Sequence, residues 1–105
     1  MNATILDDPA PRTAEAEAEE ARAQAEAHIA ELRTRIDEID TTLIELWRER
    51  ARISQDVGAT RVASGGTRLV LSREQEIVAR FREALGADGA QLAMLILRAG
   101  RGPLL

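Results

Sequence analysis

At 105 residues, 45% hydrophobic and 30% charged, the chain is one small domain with no room for a second, and its apolar content suffices for a core only if the fold is helical or oligomeric. The net charge of -4 argues against a nucleic-acid binder, which needs a basic face to neutralise phosphates. All fourteen basic residues are Arg and there is no Cys, which excludes Schiff-base chemistry, a thiol nucleophile and a disulfide framework.

No apolar run approaches about 20 residues, and the N-terminus lacks a basic segment followed by an apolar one. The expectation is a soluble, unexported protein that makes no use of a membrane, and a cysteine-free chain is compatible with a reducing cytoplasm. Met1 to Arg12, with Asp7, Asp8, Pro9, Pro11 and little to bury, reads as a disordered tail. Thr13 to Ala27 is mostly Ala and Glu, which favours helix but offers no large apolar side chain, so it reads as a frayed extension of the long helix on its C-terminal side. Residues 1–27 are thus a disordered or frayed helical tail, and 28–105 the domain. His28 is the single histidine and has no second ligand near it in sequence, so no metal or cofactor site is expected.

Residues 29 to 61 organise the chain. Ile29, Leu32, Ile36, Ile39, Leu43, Leu46, Ile53 and Val57 recur at steps of three and four, the seam of a long helix, with Arg50 standing where the series demands an apolar residue. Glu31 and Arg35 form an i,i+4 pair, and Ile44, Trp47 and Ala51 widen the apolar face so that it must meet more than one neighbour. The helix spans about 50 Å, against roughly 33 Å for a compact domain of this length. A symmetric second copy is the simplest cover, giving an intertwined helical homodimer. With the helices crossing antiparallel near Glu45, the partner's Arg33 comes between Arg50 and Arg61, although Arg33 and Arg50 of one chain are about 25 Å apart. Such a dimer is expected to bring these arginines together as an anion pocket.

Gly58 implies something packed close to the helix backbone near its end, and Ser64, Gly65 and Gly66 end the helix. Leu69, Val70 and Leu71 in the connection are expected to fold over the bundle. Ser72 and Gln75 read as a capping box that starts a second helix at Arg73 and runs it to about Leu85, with Ile77, Val78, Phe81 and Leu85 as its stripe. Gly86 stops it, Asp88 with Gln91 repeats the cap pattern, and Leu92 to Leu97 is apolar all round before Arg98, Gly100, Arg101, Gly102 and Pro103 end the third helix. The fold class is all-α, with three helices per chain, one long and two short, in an intertwined dimeric six-helix bundle.

Arg50 has two readings: a seam residue that fixes the dimer register or pairs with an acid, or a buried guanidinium awaiting a ligand carboxylate. Arg61, three turns on, returns to nearly the same face, and Arg73 and Glu74 stand in the first turn of the second helix. An acid there is also the ordinary complement of a helix dipole.

The run Leu32-Arg33-Thr34-Arg35-Ile36-Asp37, then Glu49-Arg50-Ala51, Val57-Gly58, Arg61 and Ser72-Arg73-Glu74 resembles the all-helical chorismate mutases over residues 29 to 101. Ser64-Gly65-Gly66-Thr67-Arg68-Leu69-Val70 and Leu97-Arg98-Ala99-Gly100-Arg101-Gly102 are most similar to the short actinobacterial members. The resemblance implies an intertwined dimer in which the partner's Arg33 and Arg50 bind the two carboxylates of chorismate, Arg61 contacts the ether oxygen and Glu74 receives the ring hydroxyl. Arg73 matches a site arginine of less definite role. The implied reaction, chorismate to prephenate, needs no nucleophile, metal or proton shuttle, so missing Lys and Cys are no objection.

Two positions depart from the pattern. Better-known members direct a polar residue of the last helix at the ether oxygen, whereas this last helix is apolar until Arg98, and Val70 replaces a position that is polar in some members. These gaps imply weak activity alone. The actinobacterial group is known for activation by DAHP synthase, so the resemblance implies such a partner, reordering the tail from Arg98 to Leu105. The competing readings are an isochorismate pyruvate lyase, which shares the fold, and a non-catalytic regulatory helical dimer.

Overall fold

The computed structural model describes Pro11 and residues 13–102. Apart from Pro11, the segment expected to be a disordered tail, 1–12, lies outside the described residues, as does the end of the C-terminal tail, 103–105. Among the described residues the chain forms three helices and no strand: α1 (Ala14–Ala63), α2 (Leu71–Leu85) and α3 (Ala87–Arg101). The expected all-α class with one long and two short helices is what the structure has.

Local chemistry sets each helix end. The hydroxyl of Thr13 accepts a hydrogen bond from the Ala16 N–H at 3.0 Å, and Glu15 and Glu17 complement the start of α1. Its C-terminus closes as a Schellman motif: the Gly66 N–H donates to the Arg61 carbonyl at 2.7 Å and the Gly65 N–H to that of Val62 at 3.1 Å. Gly65 adopts φ 90°, the left-handed conformation that glycine accepts without strain. The backbone of Arg61 is therefore held by the turn that ends the helix.

The start of α2 differs from expectation. The helix begins at Leu71, two residues before Arg73, and Val70, extended at φ -117° and ψ 101°, is its N-cap with no side-chain cap bond. The Glu74 N–H donates to the Val70 carbonyl at 3.2 Å. Half-buried Val70 thus anchors the first turn by packing, and Ser72 lies inside it instead of capping it. Likewise Gly86, not Asp88, is the N-cap of α3. Gly86, at φ 77°, donates to the Arg82 carbonyl at 2.8 Å and accepts from the Gly89 N–H at 3.0 Å, so one residue ends α2 and opens α3. The expected break after Arg98 also moves: α3 continues through Gly100 to Arg101 and closes on Gly102, whose N–H donates to the Arg98 carbonyl at 3.1 Å.

Packing divides the chain into two units, Met1–Asp40 and Thr41–Leu105. In the first, Arg35 pairs with Glu38 at 3.1 Å across one turn, where the sequence spacing pointed to Glu31. Its seam residues Ile29, Leu32, Ile36 and Ile39 are 42–53% exposed. In the second, α2 and α3 pack through Ile77, Ala93 and Leu97, with Val78 and Phe81 against them. Gly89 lets the helices meet: a Cβ there would collide with the Phe81 carbonyl oxygen and the Leu85 Cβ. The α1 segment of this unit leaves Leu43, Ile44, Leu46, Trp47, Ile53 and Val57 largely exposed. The apolar seam read from the sequence is thus uncovered within a single chain.

Candidate active site

The second unit holds a cavity of about 370 Å³ between the last turns of α1, the 64–70 connection, the start of α2 and the end of α3. Four of the five residues singled out in the sequence line it: Arg50, Arg61, Arg73 and Glu74. Arg33 lies in the other unit, exposed, and is not in the wall of this cavity.

Arg50 is the most constrained of them. It is half-buried, and its Nη1 is shielded from solvent without a hydrogen-bond partner. A buried donor left unmet costs about 1–3 kcal/mol. Burial lowers its pKa from the ordinary arginine value, and repulsion from Arg73 and Arg80 lowers it further. Each of these causes would be offset by a carboxylate placed against the guanidinium. Arg73 is mostly exposed and lies 3.6 Å from Glu76 on its own helix, a pairing that leaves it at the cavity rim. Glu74 is the only acid in the wall among the described residues, with a side chain 18% exposed.

Ser54, Arg68 and Arg101 also stand in the wall, with Gln55 beside them. Ser54 belongs to α1 and meets α3 where Gly100 removes the side chain: a Cβ on Gly100 would lie 2.5 Å from the Ser54 Oγ. Arg68, from the connection, lays its stem over Gly58, with its Cγ 3.2 Å from the place of a Cβ there. This is the close neighbour that Gly58 implied. Arg101, on the last turn of α3, brings its Nε to 3.7 Å from Glu74 Oε2. The sequence offered a signal for it in the repeated glycines at 100 and 102, which read as a stop but mark a close approach and a cap.

The wall therefore carries Arg50, Arg61, Arg68, Arg73 and Arg101 against one carboxylate. Such a site fits a small polyanion and lacks a nucleophilic thiol or amine. Among the described residues no three His, Cys, Asp or Glu side chains gather closely enough to hold a metal ion, and no helix is long and apolar enough to cross a membrane. A second hollow between α2 and α3, lined by Leu71, Val78, Met94 and Leu95 among others, shares Glu74, Leu97 and Arg101 with the first and contains no unpaired buried donor beyond Arg101.

Residues 32–96 match the family model described as chorismate mutase type II. The intracellular chorismate mutase of Mycolicibacterium smegmatis is 51% identical over 76 residues, which are 72% of this chain and 73% of that protein. The intracellular chorismate mutase of Mycobacterium tuberculosis is 51% identical over 73 residues, 70% of this chain and 69% of that protein. Among solved structures, a chain from a non-covalent complex of DAHP synthase and chorismate mutase of Corynebacterium glutamicum, with bound transition state analog, matches with a TM-score of 0.73 at 43% identity. That match covers 78% of this chain and 99% of the other.

Proposed function

We propose that this chain, which belongs to the chorismate mutase type II family, rearranges chorismate to prephenate in the arginine-lined cavity, as a step of phenylalanine and tyrosine biosynthesis in the cytoplasm. The observation that carries the reading is the shielded, unpartnered Nη1 of Arg50 in the wall of a cavity that holds four further arginines and one acid. The substrate is a dianion whose reaction breaks one C–O bond and forms one C–C bond within the same molecule. The site has only to hold the compact reactive conformer and stabilise negative charge growing on the ether oxygen.

In this reading Arg50 takes one carboxylate with two hydrogen bonds, and the second carboxylate falls to Arg33 of a second copy. Arg61, its backbone fixed by the turn at Gly65 and Gly66, stabilises the ether oxygen. Glu74 accepts the ring hydroxyl, and Arg73 adds positive potential at the rim. The homodimer is supported by the uncovered seam on α1: side chains such as Leu43 and Leu46, 59% and 55% exposed in one chain, need an apolar partner. A DAHP synthase partner is supported by the complex from which the similar structure comes. Low activity of the chain alone is inferred from the two departures noted in the sequence, the last helix that offers no polar side chain before Arg98 and the apolar Val70, which lines the cavity.

The test is prephenate formation from chorismate, followed chromatographically, by the protein alone and with a cognate DAHP synthase. Slow formation alone and faster formation with the synthase is expected; pyruvate release without prephenate, from either chorismate or isochorismate, would refute the reading. The shared site has its own test. In a random mixture of Arg33→Ala and Arg61→Ala chains, half the dimers are mixed and each has one intact site, so about one quarter of the original activity returns. If each site drew on one chain only, none would.

A further inference from the structure

Among the described residues Glu74 is the only acid in a wall with five arginines, and more positive charge surrounds it than a dianion requires. One of those arginines sits against it. The Nε of Arg101 is 3.7 Å from Glu74 Oε2, near enough for charge attraction and too far for a hydrogen bond, and that Nε is buried with no hydrogen-bond partner. The two side chains are 27% and 18% exposed, so this pair is less screened than the 3.6 Å pair of Arg73 with Glu76, whose side chains are 62% and 69% exposed.

The backbone that carries Arg101 is held against α1 at two points and closed by its own cap. Gly100 lies so close to α1 that a Cβ would stand 2.5 Å from the Ser54 Oγ and 3.9 Å from Arg50 Nη1. The Gln55 side-chain amide donates to the Ala99 carbonyl at 3.4 Å. Gly102, at φ 68°, closes the helix immediately after Arg101. The last turn of α3 is thus docked at the cavity with Arg101 directed at Glu74. Arg101 also lies beyond residues 32–96, the span shared with the family model.

We propose that Arg101 is a positioning residue. It holds one oxygen of Glu74 so that the other is set to accept the substrate hydroxyl, and glycine at position 100 is what lets α3 deliver it. The inference rests on the mutase reading and deepens it. A guanidinium that acts through Glu74 has no effect once Glu74 can no longer serve as the charged acceptor, whereas one that merely stabilises the helix end, or itself binds a substrate carboxylate, keeps its effect.

A double-mutant cycle on the full chain separates these cases. Prephenate formation by the unsubstituted protein is the control for the mutase reading, and its absence would remove the basis of both. With that activity present, Arg101→Gln is expected to lower kcat/KM about tenfold, chiefly through kcat, and to add less than about twofold in the Glu74→Gln background. Arg101→Lys, which restores the positive charge, should recover most of the loss. Equal losses in both backgrounds, or a rise in KM with kcat unchanged, would overturn the proposal and leave the mutase intact. Should Arg101→Gln fail to fold, Arg101→Met, which keeps the apolar stem and removes the charge, is compared on chorismate and on a chorismate analogue lacking the ring hydroxyl. A loss on chorismate that vanishes with the analogue supports the proposal, and a loss equal on the two refutes it.

Discussion

Arg50→Met separates stability from activity at one position. Methionine retains most of the length and apolar stem of arginine but removes the guanidinium. In the ligand-free protein Nη1 is shielded and unpaired, and desolvation and the charges of Arg73 and Arg80 act against its charged form. Removing one buried unmet donor should therefore stabilise the ligand-free protein by about 1 kcal/mol or more. For a chain of this size that is a rise in Tm of roughly 4 °C or more. Because the pKa of Arg50 is lowered in the folded state, the unfolded chain holds this proton more tightly, and stability rises with pH only where the group titrates. From about pH 6 to 9 arginine stays protonated folded or unfolded, so the gain from methionine should be constant across that range. Activity should move the opposite way: losing a preorganised charged donor to the substrate costs about 2.7–4 kcal/mol, or roughly 100-fold or more in kcat/KM. Thermal melting and prephenate formation on the same preparation test both halves. A less stable Arg50→Met protein, or one that keeps activity within tenfold, would refute the assignment of Arg50 as a ligand-binding residue held in readiness.

Arg61→Leu should raise the barrier by about 3 to 4 kcal/mol, read as kcat, because the charge it faces grows only in the transition state; a loss under tenfold would remove Arg61 from the ether oxygen. Leu43→Glu, in the middle of the exposed seam, should convert a dimer into a monomer by analytical ultracentrifugation and abolish prephenate formation, and an active monomer would contradict the shared site. Gly100→Ala should cost about 1–3 kcal/mol in thermal stability and lower activity, because its Cβ meets the Ser54 Oγ at 2.5 Å. Gly58→Ala should be neutral or stabilising by up to about 1 kcal/mol, since its Cβ meets only the Arg68 stem at 3.2 Å, which can yield, while alanine favours helix.

The parts legible in the sequence were those encoded by periodicity along one element. The three-and-four spacing from Ile29 to Val57 gave the long helix, its uncovered face and the anomaly of Arg50, and the structure brings Arg50, Arg61, Arg73 and Glu74 to one cavity. Ser72 and Gln75 satisfy the cap pattern locally, but the helix starts two residues earlier, where half-buried Val70 is extended and its carbonyl takes the Glu74 N–H. The end of α3 differs from the local pattern too. Gly100 is a helix breaker in isolation, but its cost is offset where a side chain would strike Ser54, so the helix continues and carries Arg101 to Glu74. Contacts between elements far apart in the chain leave no periodic trace, and they determined what periodicity missed.

The same two features that make the single chain look incomplete belong to one physical problem. Among the described residues the wall sets five arginines against one acid, a like-charge excess whose repulsion an anion would offset. Against that, α2 and α3 bury little more than Ile77, Ala90, Ala93 and Leu97, a small core for the second unit. The apolar seam on α1 is the remaining source of cohesion, and it acts only when a second surface covers it. Association and substrate binding should therefore favour each other: covering the seam makes the charged wall tolerable, and neutralising the wall removes strain from the association. For the proposed dimer the expected outcome is a dissociation constant that falls when a chorismate-like dicarboxylate is added and rises again at unchanged ionic strength when the dicarboxylate is replaced by its monoester. Sedimentation at a protein concentration near the dissociation midpoint measures that shift directly, and a midpoint indifferent to the ligand would show that the seam and the charged wall are independent.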